Sequence, residues 1–196
     1  FTYNINGGAS QMVSTVGASS SVTVNVPTGV VGTFEYNLVN VEESSVSQCS
    51  QNLNESVIIE ITSLPTAMIS GTISVCQYDT NPDVLFEGAG ASNPYTFTYN
   101  INGGANQVVS TQAGSDNVTV SVSTNQVGTF DYNLVSVLGA NGCSQAQVGT
   151  ITVEVNPLPT ASISGTTQVC LNDAEPLVIF EGQNGVEPFT FTYSIN

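Results

Sequence analysis

The chain has 196 residues, 15 of them Asp or Glu and none Lys, Arg or His, giving a formal net charge of −15. That inventory excludes the phosphate-facing cations of nucleic-acid binding and attraction to an anionic membrane surface. It also excludes side-chain salt bridges, Lys–Asn isopeptide crosslinks, trypsin sites and nucleophile–base pairs built on His or Lys. With 40% hydrophobic residues the chain can still build packed cores. Its longest apolar runs, such as SVIIEI at 56–61, are too short to cross a bilayer, so direct membrane insertion is not expected.

From its first residue the sequence repeats itself. FTYNINGG at 1–8 returns unchanged at 97–104 and starts again as FTYSIN at 191–196, so the offsets are 96 and 94 residues. GTFEYNLV at 32–39 is answered by GTFDYNLV at 128–135, LPTAMISGT at 64–72 by LPTASISGT at 158–166, and LFEG at 85–88 by IFEG at 179–182. A period of about 95 residues is too long for a solenoid unit and suits a whole β-sandwich domain. Proline-containing stretches at 62–67 and 155–161 read as stiff boundaries. The expected organisation is the back part of one repeat at 1–63, a complete repeat at 64–157 and the front of a third at 158–196.

Inside the complete repeat the pattern is period two throughout. Strands are predicted near 66–71 and at 83–88, followed by YTFTYNIN, in which Tyr95, Phe97, Tyr99 and Ile101 share one face. NGG at 102–104 predicts a tight hairpin, with Gly103 and Gly104, and Gly7 and Gly8 in the earlier copy, supplying positive φ. A return strand follows near 106–111. NVTVSVS then points Val118, Val120 and Val122 inward, and GTFDYNLVSV sets Phe130, Tyr132 and Leu134 in phase. GANG at 139–142 predicts a turn and GTITVEV at 149–155 the last strand. Seven short strands with turn signals between them predict an immunoglobulin-like sandwich. Its expected core is Phe86, Phe97, Tyr99, Ile101, Val120, Phe130, Tyr132 and Leu134.

Cys76 and Cys143 lie in the complete repeat, Cys49 and Cys170 in the partial ones. Without His or a C-x-x-C spacing, disulfides in an oxidising compartment are a better reading than zinc. Three connectivities stay open. One joins Cys76 to Cys143 within the repeat. Another staples each to a neighbouring repeat, leaving the partners of Cys49 and Cys170 outside this chain. The third scheme pairs Cys49 with Cys76 and Cys143 with Cys170. The intradomain bond meets a geometric obstacle, because the two turns carrying it sit at opposite ends of an ordinary sandwich.

Carboxylates recur by position too. Glu35 and Asp131 match, as do Glu60 and Glu154, all alternating with apolar residues and so expected outward, where neighbouring like charges repel. Asp79, Asp83, Asp173 and Glu175 fall in acidic turns, and an oxygen-only set of this kind suits Ca²⁺. Solvated turn residues account for them more simply. Paired acids on repeated outward strand positions, without an aromatic cleft, do not describe a glycosidase, and the chain is not expected to be an enzyme. Its Thr-rich outer faces (TFTY, VTVSV, TITV) are candidates for contact with surface glycans, although strand propensity alone explains them.

NPLPTASISGTTQVC, the strand ending in FEG, PFTFTYSIN, GTFDYNLVSV, NGCS and GTITVEVNPLP together resemble the PKD-like and immunoglobulin-like tandem repeats of giant Bacteroidetes surface adhesins, of the gliding-motility type. The resemblance runs along the whole chain. It implies type IX secretion, a cell-surface location and a structural stalk or filament whose partners are neighbouring repeats. A glycan-recognising module and a strand-exchanged filament subunit are the alternative expectations.

Overall fold

A computed structural model describes all 196 residues, Phe1 to Asn196, and its regular structure is entirely β. The chain divides into two compact units, Phe1–Leu64 and Pro65–Asn196. No helix is long and apolar enough to cross a membrane.

The first unit holds β1 (Thr2–Ile5), β2 (Gln11–Met12), β3 (Gly32–Glu42) and β4 (Ser50–Ile61), paired antiparallel in the order β2-β1-β3-β4. The second continues with β5 (Thr66–Gly71), β6 (Ser74–Cys76), β7 (Asp83–Ala89), β8 (Thr96–Ile101), β9 (Gln107–Ser110), β10 (Asn117–Ser121), β11 (Gly128–Leu138) and β12 (Ser144–Asn156). After these come β13 (Thr160–Gly165) and β14 (Val178–Gln183). The second unit's sheets are β10-β7-β5, β6-β12-β11-β8-β9 and the two-stranded β13-β14.

Alternation builds these strands and then joins two of the sheets. The even positions of β7 place Val84 and Phe86 against Phe97 and Tyr99 of β8, Tyr132, Leu134 and Val137 of β11, and Val153 of β12, in one buried cluster. Two sheets contributing alternate residues to a shared core make a sandwich-like arrangement. The Phe86 ring sits 5.0 Å from that of Tyr99 and 5.7 Å from that of Phe97. Each fully buried side chain of this size contributes about 1.5–3 kcal/mol. No buried side-chain nitrogen or oxygen lacks a partner. Buried Thr111 accepts the Tyr95 amide at 2.9 Å, and buried Thr124 donates its hydroxyl to the Asp79 carbonyl at 2.7 Å.

Five of the expected core residues are buried, whereas Ile101, Val120 and Phe130 pack at its margin. The buried set also includes Val84, Tyr95, Val122, Val137, Val153 and Val155. Val137 belongs to it because the β11 register shifts between Leu134 and Ser136. A bulge there changes the parity of the strand, so an odd position follows two even ones into the core. Two further elements differ from expectation. The last strand starts at Ser144 rather than 149, and residues 74–76 form β6, running parallel to the end of β12, where a plain turn was expected.

Candidate functional site

The hairpin FTYNINGG is fixed by its asparagine as much as by its glycines. Asn102 and Gly103 have φ of 52° and 69°, and the Gly104 amide donates to the Ile101 carbonyl at 2.9 Å, which describes a type I′ turn. Gly104, expected to share the positive φ, does not have it; a Cβ there would lie 3.1 Å from the Ile101 oxygen. The Asn102 side chain accepts the Asp131 amide at 2.7 Å while the Asn102 amide donates to the Asp131 carbonyl at 2.9 Å. The same two bonds, at the same lengths, join Asn6 to Glu35 in the first unit, and Asn6 and Gly7 take φ of 51° and 70°. Gly8, like Gly104, lies outside the positive-φ set, and a Cβ on it would stand 3.1 Å from the Ile5 oxygen.

In the parallel ladder Cys76 is the register partner of Asn156, the last residue of β12, whereas Cys143 directly precedes its first, Ser144. The two are therefore separated by the length of a 13-residue strand, about 40 Å, against the roughly 7 Å that a disulfide tolerates between Cα atoms. This corrects the intradomain pairing: Cys76 and Cys143 stand at opposite poles. Cys76 also lines a cleft of about 650 Å³ together with Asn156, Pro159, Asn184, Val186 and Phe189.

The acidic turns have a local task. Asp79 Oδ2 accepts the Cys76 amide at 3.2 Å, and Asp173 Oδ2 accepts the Cys170 amide at 3.0 Å, so each carboxylate closes its own turn. Asp83 begins β7 opposite Ser121, and Glu175 is exposed. No three His, Cys, Asp or Glu side chains come together anywhere in the chain in a way that would hold a metal ion. The Ca²⁺ candidates Asp79, Asp83, Asp173 and Glu175 form no such group among themselves, and Asp79 and Asp173 each accept a backbone amide of their own turn.

The strand carboxylates are spaced more mildly than expected. Thr129 lies opposite Glu154 and Asp131 opposite Thr152, so the acids face each other only diagonally. Thr152 Oγ1 donates to Asp131 Oδ1 at 2.7 Å, which spreads the charge without any cation. In the first unit, hydrogen bonds from Ser45 and then Cys49 lower the pKa of exposed Glu43. Burial raises the pKa of Tyr99 and Tyr132, and Tyr132 is raised further by its neighbour Tyr99.

A feature the sequence analysis used only as a landmark, the FEG glycine, has a steric reason. A Cβ on Gly88 would stand 2.5 Å from the Tyr95 ring, and one on Gly182 2.5 Å from the Phe189 ring. The absent side chain is what lets each aromatic ring lie on its strand. Tyr95 then donates its hydroxyl to the Ala91 carbonyl. A glycine ending a strand just before an aromatic-rich strand was the available signal.

The surfaces left open are apolar sheet faces. In the first unit a cleft of about 390 Å³ is lined by Phe1, Tyr3, Val24, Tyr36, Leu38 and Val57. Beside β13 and β14, Ile163, Val178 and Tyr193 are exposed. Neither a protein-family model nor a curated protein matches the chain.

Proposed function

We propose that this chain is a structural segment of an extracellular stalk, built from tandem immunoglobulin-like (PKD-like) repeats that hold an adhesive part of a surface protein away from the cell. The observation that carries the reading is the placement of the ends of residues 65–156. The Ala67 amide donates to the Gln147 side chain at 3.3 Å, near the start of β12, while the chain leaves at Asn156, that strand's other end. Entry and exit at opposite poles let such units follow one another in line.

The same region has a ladder suited to tension. β6 runs parallel to the terminal strand β12, flanked by bonds from Glu154 N to Ile73 O at 3.0 Å and from Gln77 N to Asn156 O at 2.7 Å. Pulling Pro65 and Asn156 apart loads this ladder along its strands, so its bonds resist together instead of opening one after another. The recurrence of the Asn–Gly turn with unchanged bond lengths supports a repeated mechanical unit. The chemistry of the chain fits exposure outside a cell, since it offers trypsin-like proteases no residue to cut after.

Single-molecule stretching tests this reading. Val75→Pro, which breaks the β6–β12 ladder, should lower the unfolding force of the 65–156 sandwich markedly. An unfolding force equal to that of the unaltered chain would contradict a load-bearing role for this ladder.

A further inference from the structure

We infer that Asn141, in the turn between β11 and β12, is a site of spontaneous covalent modification: its side-chain amide becomes a carboxylate through a cyclic imide formed with Gly142. The chemistry needs no enzyme. The Gly142 nitrogen bonds to Asn141 Cγ, the Nδ2 group leaves with the Gly142 proton as ammonia, and a ring closes. Water then opens the ring at either carbonyl. Opening at Cγ gives aspartate. Opening at the main-chain carbonyl gives isoaspartate, in which the chain runs through the side-chain carbon. Glycine suits the second position because, without a Cβ, its nitrogen is little hindered and its backbone adjusts freely.

Sequence alone does not single this residue out, since Asn–Gly also stands at 6–7, 102–103 and 184–185. The fold separates the sites. At Asn102 the side chain is drawn across to β11: its oxygen accepts the Asp131 amide at 2.7 Å and its Nδ2 donates to the Thr129 carbonyl at 3.2 Å. The Gly103 amide is turned to Asn100 Oδ1 at 3.0 Å. Attack would break all three bonds, two of which tie the turn to a neighbouring strand. Asn6 is held in the same way by Glu35 and Thr33, with the Gly7 amide on Asn4 Oδ1. Asn184 donates its Nδ2 to Thr160 Oγ1 of β13 at 3.2 Å.

Asn141 is bonded along its own chain instead. Its Oδ1 accepts the amide of Cys143, two residues on, at 3.1 Å, so the side chain curls over the Gly142 peptide that lies between. That keeps Cγ beside the Gly142 nitrogen. It also aims an N–H at the oxygen on which negative charge develops as the nitrogen attacks. Attack costs the bond from the Gly142 amide to the Gly139 carbonyl, 3.0 Å long and internal to the turn. Asn141 does not share the left-handed φ of Asn6, Asn102 and Asn184, and Gly142 is exposed, so water reaches the ring. The shoulders of the turn are pinned meanwhile, Gly139 N on Cys143 O at 3.0 Å and Ala140 N on Ser92 O at 2.9 Å. Isoaspartate inserts an extra carbon between those shoulders and sets a carboxylate beside Cys143. The corresponding turn of the first repeat, ESSVSQC at 43–49, has no Asn–Gly.

The test is storage of the 196-residue chain in warm, mildly alkaline buffer, folded or in urea. Mass spectrometry of chymotryptic peptides then follows, with isoaspartate resolved from aspartate. In urea Asn141, Asn102 and Asn6 should convert at similar rates. In the folded chain Asn141 should convert at least about tenfold faster than Asn102 and Asn6, the factor that one additional hydrogen bond to be broken supplies. Isoaspartate should accompany aspartate at 141, whereas direct hydrolysis of the amide gives aspartate alone. Asn141→Gln, whose longer side chain closes a larger and slower ring, should abolish the change at 141 and leave Asn102 as it was. Conversion of Asn102 as fast as Asn141 in the folded chain, conversion of Asn141 in urea only, or aspartate without isoaspartate would each overturn the inference.

Discussion

The same sequence is packed in one region of this molecule and open in another. Tyr99, Tyr132 and Leu134 are 4–5% exposed between two sheets, whereas Tyr3, Tyr36 and Leu38, in near-identical strands, are only partly buried on a single sheet. Local structure is nevertheless alike: β1 and β3 pair as β8 and β11 do, with a register shift after the same leucine, and the Asn–Gly turns match bond for bond. The difference is confined to what covers the sheet. The Asn–Gly turns and the ladders beside them follow from local sequence, and burial follows from the presence of a second layer.

Substitutions can break or sharpen that contrast, and the largest effect is expected where both layers are present. Phe86→Ala should destabilise the 65–156 sandwich by about 3–5 kcal/mol in denaturant unfolding, since it removes a fully buried ring. Phe180→Ala should leave that transition unchanged. Gly88→Ala should cost about 1–3 kcal/mol, because the Tyr95 ring must move to admit a methyl group; wild-type stability in this variant would show that the ring is loosely held.

Smaller effects come from titration. Tyr99 and Tyr132 are harder to ionise folded than unfolded. Their contribution is fully present below the unfolded tyrosine pKa, about 10, and is lost as pH rises towards the folded values. Melting temperature should thus fall above about pH 10, and Tyr132→Phe should blunt the fall. At the other end, a chain with charge −15 and no side-chain cation repels itself, so adding salt at pH 7 should raise the melting temperature modestly. The smallest expected change is from oxidation state. Dithiothreitol should leave the melting of the 65–156 sandwich unaltered, because Cys76 and Cys143 stand at opposite ends of β12.

Much of this was legible in the sequence. Alternation located β7, β8, β10 and β11, and NG between alternating strands located the turns. What stayed hidden was non-local. Whether the three residues of β6 pair depends on β12 arriving alongside, some 80 positions later. Val137 reaches the core only through a bulge, which alternation cannot announce. The acidic turns suggested a cation because composition shows carboxylates but not the backbone amides they accept. For the cysteines, even spacing in the sequence concealed a full strand length between them.

Hydrogen exchange compared between 117–121 and 21–25 tests the central claim most directly. The account predicts strong protection of the β10 amides that pair with β7 and near-unprotected exchange throughout 21–25, despite the shared VTV core of the two segments. Equal protection of the two segments would contradict it, since the first sheet would then carry a second layer of its own.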